Sequence, residues 1–536
     1  MVGGLDRGWL QRGVVILAAG VVLATGVWAQ TPEAPKTPET AQKPVPKLAM
    51  PDAVAPAAVV PAKGVPAAAF PEGEATQNPQ GGNSQNGQSG QNPPDGTRDE
   101  TQGGTQDGAG AHIRTGTVIG EGVAQNDVSR MTNLLGDHQY MTMEAILNAP
   151  ESAGSLTQQQ RDLFRGVLLN RENKSGESIK MLTPLVETMG AEGAVADPVR
   201  EKLLRKTLAE DYLRVGDWAN AAKAYQALDE RVTLTPEEKG ELELPLKLLP
   251  LAANHPAMTV EYGDPFSVPY DRDAIGLMDV PVFVDAQSHD WMLDPTAPFN
   301  LICRSTAKEV GLRLSEESAT VRNVTGRPIV VHATVIPRFT LGNITFRNMT
   351  AFVFEDADYY YGKSHYQVRG VLGYPAVSAL GSVTVTQSAR IEVQPGEKGE
   401  HLTSGARFFL EGDRVMVALG RTGDERMFQI DASGQQTYLT SRYFSEHPGD
   451  FTGKKMQLLA IPGAASKPPA PAYVADTVTL VAGNTPMSLH YVQVLTDPLG
   501  NAAVDDSYGT LGVDVLDELK SYTFDYRTML FGVRVE

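Results

Sequence analysis

Two aspartates stand out by what surrounds them. Val280, Val282 and Val284 alternate, a polar turn (DAQSHD) follows, and Trp291-Met292-Leu293 delivers Asp294 into Pro295-Thr296-Ala297. Later, Val415, Val417 and Leu419 alternate, a polar turn (GRTGDER) follows, and Phe428-Gln429-Ile430 delivers Asp431 into Ala432-Ser433-Gly434. Each Asp has a hydroxyl residue two positions on, Thr296 and Ser433. Paired carboxylates suit amide hydrolysis with neither a metal nor a covalent intermediate. Two carboxyls held close cannot both ionise easily, so they share a proton. The charged member takes a proton from a bound water, the neutral one polarises the scissile carbonyl, and the pKa values belong to the pair.

Competing chemistries find less support. The chain has one cysteine, Cys303, so an internal disulfide framework and a Cys-rich zinc module are excluded. In its apolar run (FNLICRS) that thiol reads as a small buried hydrophobe rather than a nucleophile. The nine histidines show no H-x-H or HExxH spacing, so no zinc site is expected. Tyr359-Tyr360-Tyr361 with Tyr366 reads either as the wall of a substrate cleft or as a loop packed on its own lobe. The formal net charge of −18 over 536 residues argues against a general nucleic-acid binder and against electrostatic docking on anionic lipid.

The elements that must position the two aspartates follow from periodicity. From about Ala257 the pattern has period two and is rich in Val, Phe, Thr and Tyr, which predicts strands. Markers downstream of each Asp keep step. Gly342-Asn343 and Gly370-Val371-Leu372-Gly373 follow Asp294; Gly483-Asn484 and Gly509-Thr510-Leu511-Gly512 follow Asp431 at nearly the same spacing. A short helix-like stretch comes next in each case (PAVSAL, VDVLDEL), then a closing β run (SVTVTQSARIEV, SYTFDYRTMLFGVRV). Matched markers in one order imply an internal duplication, with one β lobe over 257–400 and a second over 401–536.

This layout resembles the retropepsin-like and pepsin-like aspartic proteases over both lobes. Three phrases are similar to bacterial members: STAKEVGL (305–312), GVLGYPAVSALG (370–381) and YGTLGVDVLDELKSYTFDYRTMLF (508–531). The resemblance implies a two-lobed, mainly-β fold, a peptide or protein substrate and no cofactor. It implies Asp294 and Asp431 as the catalytic pair, with Thr296 and Ser433 as supporting hydroxyls. The family turn reads Asp-Thr/Ser-Gly, whereas this chain has Asp-Pro-Thr and Asp-Ala-Ser. Pro295 and Ala432 cannot supply the hydroxyl that ties the two turns together, and Pro295 has no N–H. Two readings therefore stay open. One is an aspartic-type endopeptidase with variant turns. The other is a catalytically degenerate fold that binds peptides by strand pairing with a flap hairpin, Thr320 to Ile336, turning at Thr325-Gly326. The Pro-rich stretch 462–473 falls in the second lobe, where the family has a mobile segment.

Upstream, residues 127–253 carry apolar residues at helical spacing. In Leu203 to Arg231, Leu204, Leu208, Tyr212 and Val215 form one stripe, and Ala221, Ala222, Tyr225 and Leu228 the facing one, with a break at Gly216-Asp217. Leu163 to Val186 is a second candidate pair. The pattern is tetratricopeptide-like, which would offer a groove for a protein partner, or an ordinary helical bundle. Residues 30–112 are Pro-rich, then Gly-, Gln- and Asn-rich, which predicts a disordered linker. Residues 1–29 hold a short apolar run, Gly13 to Trp28, ahead of Ala29, which reads as a signal peptide; the alternative is an uncleaved anchor. The whole chain reads as an exported, multidomain protein, periplasmic or secreted, touching a membrane only if that first segment is retained.

Overall fold

A computed structural model describes residues 127–149, 156–189, 197–273, 276–322, 327–362, 365–396, 399–420, 424–431, 436–460, 469–500 and 502–535. The segments read as a signal peptide (1–29) and linker (30–112) lie outside the described residues. A helical region comes first: α1 (Asp127–Gly136), α2 (Tyr140–Asn148), α3 (Gln158–Arg171), α4 (Ser175–Met189), α5 (Pro198–Arg214), α6 (Trp218–Arg231) and α7 (Pro236–Ala252). Local sequence accounts for their ends. Thr157 with Gln160, and Thr235 with Glu238, form reciprocal capping boxes that satisfy the otherwise orphaned first N–H groups. Asp197 and Asp217 cap α5 and α6 by accepting from the backbone N–H of Arg200 and Asn220. Between α5 and α6, Gly216 takes a positive φ of 72°, the left-handed closure that glycine makes at no steric cost.

The remainder is mainly β. In the first half, the strands Ile344–Phe354, Leu301–Cys303, Gly370–Leu372, Gln287–Leu293, Met278–Val284 and Pro328–Leu341 pair in that order. Pro328–Leu341 pairs back onto Ile344–Phe354, which closes a six-strand barrel. In the second half the order is Ala470–Ala482, Thr485–Leu495, Tyr438–Leu439, Gly509–Leu511, Arg426–Ile430, Arg414–Leu419 and Ala406–Glu411. Gly342-Asn343 and Gly483-Asn484 are the two-residue turns of the long hairpins, with Gly342 at φ 53° and Gly483 at φ 61°. Such turns need positive φ to match the twist of their strands.

One sheet belongs to both halves. Ser382–Thr386 runs antiparallel to Ser521–Asp525, with Thr384 opposite Thr523 and their hydroxyls 2.8 Å apart. Leu530–Arg534 and Ala406–Glu411 extend it on one side, Arg390–Gln394 and Phe266–Pro269 on the other.

The helical region shares cores with both halves of the β region. Tyr140, Met143 and Phe164 pack with Phe409, Met416 and Ala418. This explains why Arg414–Leu419 is apolar on both faces: Val415, Val417 and Leu419 fill the β core while Met416 and Ala418 meet the helices. At the other end, Leu244, Leu248 and Leu249 of α7 pack with Val321, Ile329, Val331 and Phe352. Val321 and Ile329 stem from the hairpin read as a flap; Ala319–Arg322 pairs with Pro328–Val331, and its Thr325-Gly326 turn lies outside the described residues. Lys247 Nζ of α7 donates to Thr320 O at 2.8 Å.

The tyrosine cluster packs on its own half. The Tyr359 ring lies edge-on to Phe354, with centroids 4.5 Å apart, and Tyr361 and Tyr366 sit on the cluster of Met292, Cys303 and Val371. Tyr366 donates to Asp279 Oδ2 at 2.8 Å. Cys303 is fully buried, with Thr306 Oγ1 3.1 Å from its sulfur.

Two measurements probe this architecture. Leu248 is 2% exposed and borders a cavity of about 40 Å³, so Leu248→Ala should lower the unfolding free energy in urea by about 3 kcal/mol. Burial raises the Asp279 carboxyl from 3.8 to about 6; the Tyr366 hydrogen bond opposes the rise, and Asp273, Asp290 and Asp271 add to it. The folded state thus binds this proton more tightly than the unfolded state does. Stability falls as pH rises from about 4 to about 6, and the loss is complete above that. Asp279→Asn should remove this slope, gaining on wild type by on the order of 2 kcal/mol between about pH 4 and pH 7. Urea midpoints across that range test it; parallel curves for the two proteins would refute the assignment.

Candidate active site

The Asp294 turn is set by the strand that delivers it. Gln287–Leu293 runs parallel to Gly370–Leu372, with Met292 opposite Val371 and Leu293 opposite Leu372. The ladder continues one step, as Asp294 N donates to Leu372 O at 3.0 Å. The chain then turns at once: Ala297 N donates back to Asp294 O at 3.3 Å, which puts Pro295 at the second turn position, where its fixed φ is favoured. Thr296 donates twice to Asp294 Oδ1, from its backbone N–H at 2.9 Å and from its hydroxyl at 2.6 Å. Asp294 is 2% exposed and Thr296 9%. The N–H missing at Pro295 is thus replaced by that of the next residue, and Thr296 holds the carboxylate from within its own turn.

Glycines let the neighbouring strand come close. A Cβ on Gly373 would lie 2.3 Å from Phe299 O and 2.7 Å from Ala297 O, and one on Gly370 would lie 2.2 Å from the Trp291 ring. Asn300, which sequence reading did not single out, supplies the acceptor for Gly373 N at 3.0 Å and donates to Thr350 O at 3.2 Å. Tyr374 N donates to Ala297 O at 2.7 Å, so the residue after Gly373 is bonded to the Asp294 turn itself.

The second aspartate stands in the same local frame. Arg426–Ile430 runs parallel to Gly509–Leu511, with Ile430 opposite Leu511, and Asp431 N donates to Leu511 O at 3.0 Å. Gly512 N donates to Thr437 Oγ1 at 2.8 Å, as Gly373 N does to Asn300. Thr437 in turn donates to Asp514 Oδ1 from its hydroxyl at 2.7 Å. Asn300 and Thr437 sit at the same offset after their aspartates, which was a usable sequence signal. Asp431 is half-buried. Ala432 and Ser433 lie outside the described residues, so only one of the two expected supporting hydroxyls, that of Thr296, is placed against its aspartate.

A buried phenol lies near each aspartate, Tyr526 by Asp294 and Tyr438 by Asp431. Burial pushes the Tyr526 phenol up, and the neighbouring Tyr374 and the Asp294 charge add to the rise. Burial also raises Tyr438, against a hydrogen bond with Thr510, and the Asp431 charge adds to it. Among the described residues no group of three His, Cys, Asp or Glu could hold a metal ion.

Comparisons with known proteins bear on this geometry. The profile of the aspartyl protease family matches residues 280–376, which span the Asp294 turn and Gly370–Gly373. No curated protein matches the chain. Among solved structures, a retropepsin-like aspartic protease from Rickettsia conorii is 17% identical, with 25% of this chain and 99% of that chain covered and a TM-score of 0.20. Residues 280–376 of this chain, which hold the Asp294 turn and Gly370–Gly373, are thus similar to the aspartyl protease family.

Proposed function

We propose that this protein is an aspartic-type endopeptidase that hydrolyses peptide bonds through a water held between Asp294 and Asp431. The observation that carries the reading is the repeated frame. Each Asp follows a strand in parallel pairing and donates its main-chain N–H to the last residue of the partner strand, Leu372 or Leu511. The repeat also supports an origin of the two halves by internal duplication. In the reaction, the water oxygen attacks the carbonyl carbon and its proton passes to the charged carboxylate. The other carboxyl gives its proton to the carbonyl oxygen. Collapse of the tetrahedral adduct breaks the C–N bond, with a proton delivered to the amine. Thr296 keeps the Asp294 carboxylate in one orientation, and the Pro295 ring stiffens the turn that carries it. Ser433 is assigned the matching role beside Asp431.

A second reading rests on one observation, Pro295 at the position where the family carries a cross-lobe hydroxyl. On it the fold binds peptides without cleaving them. The apolar run Gly13–Trp28 supports export to the periplasm or the exterior, with membrane attachment only if that segment is retained. The antiparallel pairs α3–α4 and α5–α6 support a tetratricopeptide-like role for the helical region, with a protein as its partner.

The deciding experiment uses the full chain and dye-labelled casein. Asp294→Asn and Asp431→Asn should each lower kcat by about 10²–10⁴-fold, as loss of an acid–base partner does. Wild-type rate against pH should be bell-shaped, because one carboxyl must be charged and the other neutral. If wild type binds casein without turnover, and the double substitution binds it equally well, the peptidase reading falls and the binding reading stands. Thr296→Val removes the hydroxyl but keeps the backbone donor, and should lower kcat about tenfold, the worth of one hydrogen bond to a charged group. An unchanged kcat would show that the Thr296 hydroxyl has no part in the chemistry.

A further inference from the structure

We propose that Asn173, in the turn between α3 and α4, is a positioning residue for this site, holding the Asp294 turn against the second half of the β region. The inference rests on the peptidase reading above and adds to it a part of the active centre that comes from the helical region. Asn173 Oδ1 accepts the Tyr374 hydroxyl at 2.5 Å, and Asn173 Nδ2 donates to Tyr526 O at 3.4 Å. Tyr374 belongs to the first half and is bonded through its own N–H to Ala297 O, inside the Asp294 turn. Tyr526 follows the second-half strand of the shared sheet and donates its N–H to Gly381 O at 2.9 Å. One carboxamide therefore joins groups from both halves, next to the turn that carries Asp294. The rings of Tyr374 and Tyr526 meet edge-on, with centroids 6.2 Å apart, and both residues are under a tenth exposed.

The helical region presents this side chain rigidly. Asn173 has φ 58°, a left-handed conformation that asparagine tolerates better than other side-chain-bearing residues. Glycine would make the same turn but has no carboxamide. On one side, Glu172 accepts from Arg407 Nη2 of the second half at 2.8 Å, and on the other Lys174 N donates to Leu169 O at 2.8 Å. Arg214 of α5 donates to Asn170 O at 2.7 Å and to Gly412 O at 3.1 Å, which ties the end of α3 to the β region. The turn is thus braced on the β region at two points, Arg407 and Gly412, before its side chain reaches Tyr374.

The test is a double-mutant cycle in the full chain on hydrolysis of dye-labelled casein. Asn173→Gly keeps the left-handed turn and removes the carboxamide, and Tyr374→Phe removes the hydroxyl it receives. Each should lower kcat about tenfold, since small misplacements of a reacting group are costly, with KM within about twofold of wild type. The double variant should be no slower than the worse single, because both substitutions break the same link. Thermal unfolding of each variant shows whether the fold persists. If Asn173→Gly fails to fold, Tyr374→Phe alone must still show the kcat loss at unchanged KM. A kcat within about twofold of wild type for Tyr374→Phe, or losses that multiply in the double variant, would overturn the proposal while leaving the peptidase reading intact. A wild type without turnover sinks both.

Discussion

The antiparallel pairing of Ser382–Thr386 with Ser521–Asp525 is the contact on which the rest of the β region depends. Each of these strands lies shortly after a strand whose last residue, Leu372 or Leu511, accepts an aspartate N–H. Their register therefore sets where the first frame stands relative to the second. A shift of one residue would reverse which side chains face the core, because side chains alternate along a strand. Val383 and Val385, opposite Phe524 and Tyr522, would leave the core, so the apolar pattern enforces the register. The flanking strands Arg390–Gln394 and Leu530–Arg534 extend the sheet and spread that constraint over both halves.

The helical region reinforces the same geometry from outside. It shares one core with Ala406–Leu419 and another with the hairpin above the first barrel. Polar links accompany the apolar ones: Arg407 pairs with Glu144 and Glu172, and Tyr140 donates to Glu411. Arg407 is about one-third exposed, so its pairs act chiefly as alignment and contribute modestly to stability. The burial of Tyr140, Phe164, Phe409 and Met416 carries the larger share. In this arrangement the helices are part of the framework around the aspartates rather than a separate module joined by a tether.

Much of this was legible in the sequence, wherever the determinant was local. The stripes over 203–231 mark α5 and α6, and Asp217 caps where its type and place said it would. The Gly-Asn pairs are turns, and Gly370 and Gly373 stand where a Cβ would collide with Trp291 and with Phe299 and Ala297 around the Asp294 turn. Less legible were features created by distant partners. Asn300 and Thr437 play one role with different side chains, an amide oxygen and a hydroxyl, so matching residue types hides the equivalence. Thr296 was expected as a supporting hydroxyl, and its bond runs to its own turn's carboxylate. The sheet common to both halves leaves no local mark, since each of its strands reads as an ordinary closing β run. Asn173 carries no local mark of its contacts, because its partners Tyr374 and Tyr526 are far along the chain.

The shared core of α2, α3 and the second half has a consequence for how the chain is made. Tyr140 and Glu411 are 271 residues apart in sequence. On a ribosome adding about 5–20 residues per second, the helices wait roughly 15–55 seconds for their partner strands to appear. During that interval Tyr140, Met143 and Phe164 lack the part of their native cover that Phe409, Met416 and Ala418 supply. The nascent helices are therefore natural clients for a holding chaperone, and the strands Ala406–Glu411, Arg414–Leu419 and Arg426–Ile430 complete a core begun by the first helices.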